Sequence, residues 1–146
     1  MIGMVKMSNY RLSCYVNRVK RKCGYTIELE GAVIVKSIFK LPSENLKESI
    51  LETVYKGLKA VKKFMKHEDL LNIEIQNIHL CEWLSGLKEY RGYEDYLDKV
   101  FLTLEGIDCS YKFRFEKKPF ASVIVNTEDV DKLKVSSIKG LLEEFK

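Results

Sequence analysis

The chain has 146 residues, 46% of them hydrophobic, and 25 Lys and Arg against 21 Asp and Glu give it a net charge of +4. That length and apolar content suit one hydrophobic core, so a single domain over residues 1–146 is expected. Sparse Gly and Pro, with no low-complexity tract and no fixed-period repeat, exclude a disordered or solenoid chain. No apolar run approaches the roughly 20 residues that span a bilayer, and Met1 to Lys6 is too short and too polar for a signal peptide. A soluble, cytoplasmic protein with no membrane partner is the expectation, and the mild positive charge is compatible with an acidic partner such as nucleic acid.

Tyr10 to Asn17, Tyr25 to Glu30 and Ala32 to Lys40 are short runs of β-branched and aromatic residues separated by the basic stretch Arg18 to Lys22 and by Gly31. They predict three consecutive antiparallel strands. Leu41-Pro42-Ser43 stops the third strand and offers Ser43 as an N-cap, after which Leu46, Ile50, Val54, Leu58, Val61 and Met65 recur at helical spacing. The opposite side of that helix carries Lys47, Lys56, Lys59, Lys62 and Lys63, read as a solvated face. Leu71 to Gln76 predicts a fourth strand, followed by a short helix around Leu80, Trp83 and Leu84 that Gly86 terminates. A further helix carries Tyr93, Leu97, Val100 and Leu104 and ends at Gly106. Cys109, Tyr111, Phe113 and Phe115 then alternate with polar residues, the period of a strand with one buried face. Val130, Leu133, Ser137, Leu141 and Phe145 outline a closing helix.

A three-strand meander followed by strands alternating with helices gives an α/β fold with a five-stranded mixed sheet, three strands antiparallel and the later ones parallel, with helices on both faces. The four cysteines, Cys14, Cys23, Cys81 and Cys109, lack the close spacing of zinc or redox motifs and are expected to be buried free thiols.

Several segments resemble the ribonuclease H family, in particular the bacterial type 1 enzymes, over about Tyr10 to Leu142. Cys14-Tyr15-Val16-Asn17 resembles the end of the family's first strand, where an aspartate follows a hydrophobic run, and Gly24-Tyr25 resembles the opening of its second. Asn45-Leu46-Lys47-Glu48 resembles the start of the helix that supplies the catalytic glutamate, with Glu48 as the match. Ile75-Gln76-Asn77 through Glu82-Trp83-Leu84-Ser85-Gly86 resembles the fourth strand and following helix, with Asn77 where the second aspartate stands. Asn126-Thr127-Glu128-Asp129-Val130-Asp131-Lys132-Leu133 resembles the C-terminal signature and puts Asp131 at the fourth acidic position.

The resemblance implies a ribonuclease H-like fold and a site made of Asn17, Glu48, Asn77 and Asp131. Members cut the RNA strand of an RNA/DNA hybrid with two divalent ions, Mg or Mn, clamped by four carboxylates. Here two aspartates are replaced by their isosteric amides, which keep the shape but remove two charges that hard cations require. Only Glu48 and Asp131 remain as metal ligands, so the site is degenerate and incomplete. Both also suit the first turn of a helix, where the dipole favours a carboxylate. Arg18 and Val19 replace the small residues that normally follow the first aspartate. Lys117-Lys118-Pro119 stands near the position of the loop histidine, with neither His67 nor His79 there. Glu44 replaces a common hybrid-contacting asparagine, although Asn45 beside it matches.

The expected function is therefore nucleic-acid binding, to an RNA/DNA hybrid or duplex, with weak or no nuclease activity. Arg18, Lys20, Arg21, Lys22 and Asn45 are the candidate contacts. One alternative is an atypical, active Mg- or Mn-dependent hybrid endoribonuclease, with an acid such as Glu28 completing the metal site. The other is a catalytically inert module with a protein partner, using the apolar segment Phe120 to Val125.

Overall fold

The computed structural model describes residues 7–66, 68–88, 92–107 and 109–130. In chain order these form β1 (Asn9–Asn17), β2 (Lys22–Leu29), β3 (Ala32–Lys40), α1 (Leu46–Lys62), β4 (Leu70–Ile75), α2 (Ile78–Leu84), α3 (Glu94–Glu105), β5 (Ser110–Phe115) and α4 (Ala121–Thr127). One sheet runs β3-β2-β1-β4-β5. β1, β2 and β3 are antiparallel neighbours, whereas β4 pairs parallel with both β1 and β5. This is the expected mixed sheet.

The period-two pattern of β1 divides its residues between two faces. Tyr10, Leu12, Cys14 and Val16 join Ile27 of β2 and Ile73 of β4 in the main core, beneath Ile50, Val54, Leu58 and Val61 of α1. Gly57 permits the close approach of α1, since a Cβ there would lie 2.6 Å from a methyl carbon of Leu12. Leu97, Val100 and Leu104 of α3 are buried in the same core.

The N-cap of α1 is Asn45, not Ser43. Its extended backbone (φ −80°, ψ 122°) aims the side-chain oxygen at the Glu48 backbone N–H, satisfying a donor that the first helical turn leaves free. Ser43 lies just outside, donating its hydroxyl to Glu48 Oε1 at 2.8 Å.

On the second face of the sheet α4 packs over β1 and β2, in a segment that carried no helical expectation. Its backbone enters through a hydrogen bond from the Ala121 N–H to Ser13 Oγ (2.8 Å). Ile124 and Val125 then pack with Ile38 and Tyr15. Gly24 makes room, because a Cβ there would meet Ser37 O at 2.6 Å and Val125 Cγ2 at 2.7 Å. Ala121, Ile124 and Val125 are thus buried against the chain's own sheet, and of the segment Phe120 to Val125 only Phe120 and Val123 remain as large exposed apolar groups. Only Phe120 and Val123 are therefore left to contribute to the apolar partner surface expected of that segment.

The alternation in β5 overstates its burial. As the edge strand it buries Phe113 alone, with Tyr111 and Phe115 exposed. Cys14, Cys23 and Cys81 are buried free thiols and Cys109 is half-buried. The closing helix expected over Val130 to Phe145 lies, beyond Val130, outside the described residues, as does His67. Among the described residues, no helix is long and apolar enough to cross a membrane.

Candidate functional site

The C-terminal ends of β1 and β4 are tied together by one side chain. Gln76 accepts from the Val16 N–H at 2.5 Å and donates to the Val16 carbonyl at 3.0 Å, extending the ladder by an amide that imitates backbone. Asn17 and Asn77 follow these two residues, so both stand at one edge of the sheet. The start of α1 is brought to the same edge by the ion pair of Arg21 with Glu44 and by the Leu41 N–H donating to Arg21 O.

Each predicted position among the described residues has a definite set of partners. Asn17 accepts from the Lys20 N–H at 3.0 Å and donates through Nδ2 to Asn126 Oδ1 at 2.7 Å, closing the β1–β2 turn and reaching α4. Asn77 caps α2, accepting from the Leu80 N–H at 3.0 Å. Glu48 is half-buried and accepts from Ser43 and, at 3.4 Å, from the Tyr96 hydroxyl. Desolvation, with the Glu48 charge next, raises the Tyr96 pKa above the usual phenol range. Asn45 caps α1 and donates from Nδ2 to Tyr93 OH at 3.2 Å. Asp131 lies outside the described residues.

No hydrogen bond joins Asn17, Glu48 and Asn77 to one another, and no group of three His, Cys, Asp or Glu is arranged to hold a metal ion, among the described residues. Glu48 supplies the one carboxylate of those three positions. An amide oxygen is a poor substitute for a carboxylate toward Mg or Mn, and both amides already cap local structure. The described part of the site therefore does not fit a pair of divalent ions. Glu28 does not complete it. It is buried beside Arg11, to which it is ion-paired, and Arg11 also lies 3.5 Å from Glu74. Since Glu28 registers with Arg11 and Lys22 with Asn17, Glu28 sits about 20 Å down the strand from Asn17 at roughly 3.4 Å per residue.

The four cations of the turn have different duties. Lys20 Nζ donates to Asn126 O at 2.5 Å and Lys22 Nζ to Glu128 O at 2.7 Å, both at the C-terminal end of α4. There the unsatisfied carbonyls and the helix dipole favour cations. Lys36, which nothing in the sequence singled out, adds an ion pair to Glu128 at 3.1 Å. Arg21 pairs with Glu44 in the open, which lowers the Glu44 pKa below the usual carboxylate range. Arg18 is exposed, and its side chain makes no hydrogen bond or ion pair among the described residues.

Beside the start of α1, Lys47 Nζ lies 5.1 Å from the Trp83 ring centroid and 5.8 Å from that of Tyr93. The two rings are 6.2 Å apart. This cluster joins α1, α2 and the residue before α3, and its members are too far apart in sequence for spacing to reveal them. His79 is exposed on α2 and lies 3.9 Å from Glu82.

No protein-family model matches the sequence, and no curated protein matches it. Solved structures do. LC11-RNase H1 in complex with RNA/DNA hybrid is similar with a TM-score of 0.62 at 11% identity, covering 83% of this chain and 95% of that one. RNase H1 from the halophilic archaeon Halobacterium salinarum gives 0.57 at 11% identity, covering 92% and 99%. The N-terminal RNase H domain of a Mycobacterium tuberculosis protein gives 0.61 at 9% identity, covering 94% and 99%. Strand order, parallel and antiparallel pairing and these likenesses together show that the chain has the ribonuclease H fold.

Proposed function

We propose that this chain, acting as a single ribonuclease H-like domain, binds nucleic acid, an RNA/DNA hybrid or a duplex, and cleaves it weakly or not at all. The observation that carries the reading is the state of Asn17 and Asn77. Both stand at the sheet edge where the resemblance puts catalytic aspartates, and both are amides engaged in hydrogen bonds to neighbouring backbone or side chain. A two-ion mechanism depends on carboxylates that stabilise the attacking and leaving oxygens together. With Glu48 as the remaining described carboxylate, and Asp131 as the fourth position by resemblance, the charge is insufficient for that clamp. LC11-RNase H1, similar in fold, is seen with a hybrid, which supports a hybrid as the first ligand to try. The exposed Arg18, and Lys47 held over the Trp83 and Tyr93 rings beside Asn45, offer positive charge to such a ligand.

The test is a pair of measurements on the same hybrid: binding by fluorescence anisotropy, and cleavage in Mg²⁺ and in Mn²⁺. Salt-sensitive binding without cleavage is expected. Efficient cleavage that Glu48→Gln abolishes would replace this reading with an active nuclease, and an absence of binding would favour an inert module with a protein partner.

A further inference from the structure

Away from the candidate site, the C-terminal half of α1 and its C-cap present Lys56, Lys59, Lys62 and Lys63. None of the four has a carboxylate within ion-pair distance among the described residues, whereas Lys99 nearby is matched by Glu52 at 3.1 Å. Two clefts flank this stretch and share Lys59 and Lys63. One, of about 590 Å³, lies toward α3 at Leu102 and Thr103. The other, of about 260 Å³, lies toward Tyr25, Ser37 and Phe39 on the sheet. Aromatic rings hold two of the ammonium groups: Lys56 Nζ is 4.1 Å from the Phe39 centroid and Lys59 Nζ is 5.2 Å from that of Tyr55.

We infer that this face binds the phosphate backbone of a nucleic acid, as a second contact surface separate from the β1–β4 edge. Some positive charge at the end of a helix is favoured by its dipole, but the dipole acts over the last turn, and Lys56 lies a further turn back. A ring beneath an ammonium group orients it without neutralising it, so the charge remains available to an anion. The axial rise from Lys56 to Lys63 is about 10 Å, which matches roughly three phosphates of one strand at 3.4 Å of helix axis each. Rings already occupied by lysines are not free to stack bases, so the contact is to backbone and independent of sequence. Lys59 lies about 16 Å along the helix from Glu48, so a strand held at the candidate site need not reach it, and a longer or second segment would.

The experiment compares wild type with K59Q/K62Q/K63Q, using a labelled 30-base-pair DNA duplex and the matching RNA/DNA hybrid in anisotropy titrations at several salt concentrations. Circular dichroism confirms that the exposed substitutions leave the fold intact. Each lost phosphate contact should flatten the slope of log K against log salt by about 0.9 on duplex, and affinity at low salt should fall about tenfold or more. An R18Q/R21Q variant probes the other surface, and losses from the two sets should combine additively if the surfaces are independent. A triple variant with wild-type affinity and salt slope overturns the inference, whatever R18Q/R21Q does. Equal competition by poly-glutamate of matched charge also overturns it, assigning the face to an acidic protein segment.

Discussion

At the scale of single residues, Asn17 and Asn77 differ in how much they would resist becoming aspartate. The Asn77 oxygen caps α2, and aspartate caps a helix as well as asparagine does, with a charge that suits the N-terminal dipole. Asn77→Asp is therefore expected to leave thermal stability unchanged or slightly raised, whereas Asn77→Ala should cost about 1 kcal/mol, read as a lower denaturant midpoint. Asn17 uses its amide as a donor to Asn126. A carboxylate there keeps the bond only if the Asn126 amide turns its NH₂ toward it, a rotation that exchanges two nearly isosteric groups. The N17D/N77D double variant should consequently fold and should bind Mn²⁺ more tightly than wild type in a calorimetric titration. Adding Glu48→Gln should remove most of that gain. If the double variant binds Mn²⁺ no better, Asn17 and Asn77 do not share an ion site with Glu48.

At the scale of elements, α4 shows where sequence reading stops. The limits of β3 and the covered face of α1 follow from local patterns that the structure retains, because apolar alternation and the heptad-like row need no knowledge of neighbours. α4 has seven residues, too short a window for a 3.6-residue period to stand out. Its helical state is fixed by distant groups: Ser13 receiving its first N–H, Gly24 making room for Val125, and Lys20 and Lys22 meeting its last carbonyls. The same non-local geometry hid the hydrogen-bonding roles of Asn126, Gln76 and Tyr96, whereas the places of Asn17 and Asn77 at the ends of β1 and β4 follow from the local strand patterns. Ser43 and Asn45 are both good capping residues, and only the backbone angles at Asn45 decide between them. These bonds also divide the turn's cations. Lys20→Ala and Lys22→Ala should each destabilise α4 by about 0.3–1 kcal/mol, seen as faster amide exchange in that helix. Arg18→Glu should leave the melting temperature unchanged and weaken hybrid binding. A hybrid affinity unaffected by Arg18→Glu would argue against a contact at the turn.

At the scale of the whole molecule, the packing of thiols beneath α1 sets an alkaline limit on stability. Burial pushes the Cys23 thiol up to about 11, and burial pushes Cys14 still further from its ordinary value. Cys81 and the Tyr25 phenol are raised for the same leading reason. In the unfolded chain these thiols ionise near 9. Below that pH neither state is ionised, so the thiols leave stability independent of pH. Above it the unfolded state sheds protons that the native core retains, and stability falls as pH rises, because the state binding more protons is penalised by their scarcity. The contribution is therefore fully present up to about pH 8 and lost through pH 9 to 11, by about 1.4 kcal/mol for each tenfold change in proton affinity. Melting temperatures measured at intervals from pH 7 to 11 should show a plateau and then a decline. Cys23→Ala removes one of the titrating groups, so its decline between pH 9 and 11 should be shallower than that of wild type, from a plateau lowered by the small cavity it leaves. A Cys23→Ala curve parallel to wild type throughout would mean that the thiol ionises alike in the folded and unfolded states, against its position in the core.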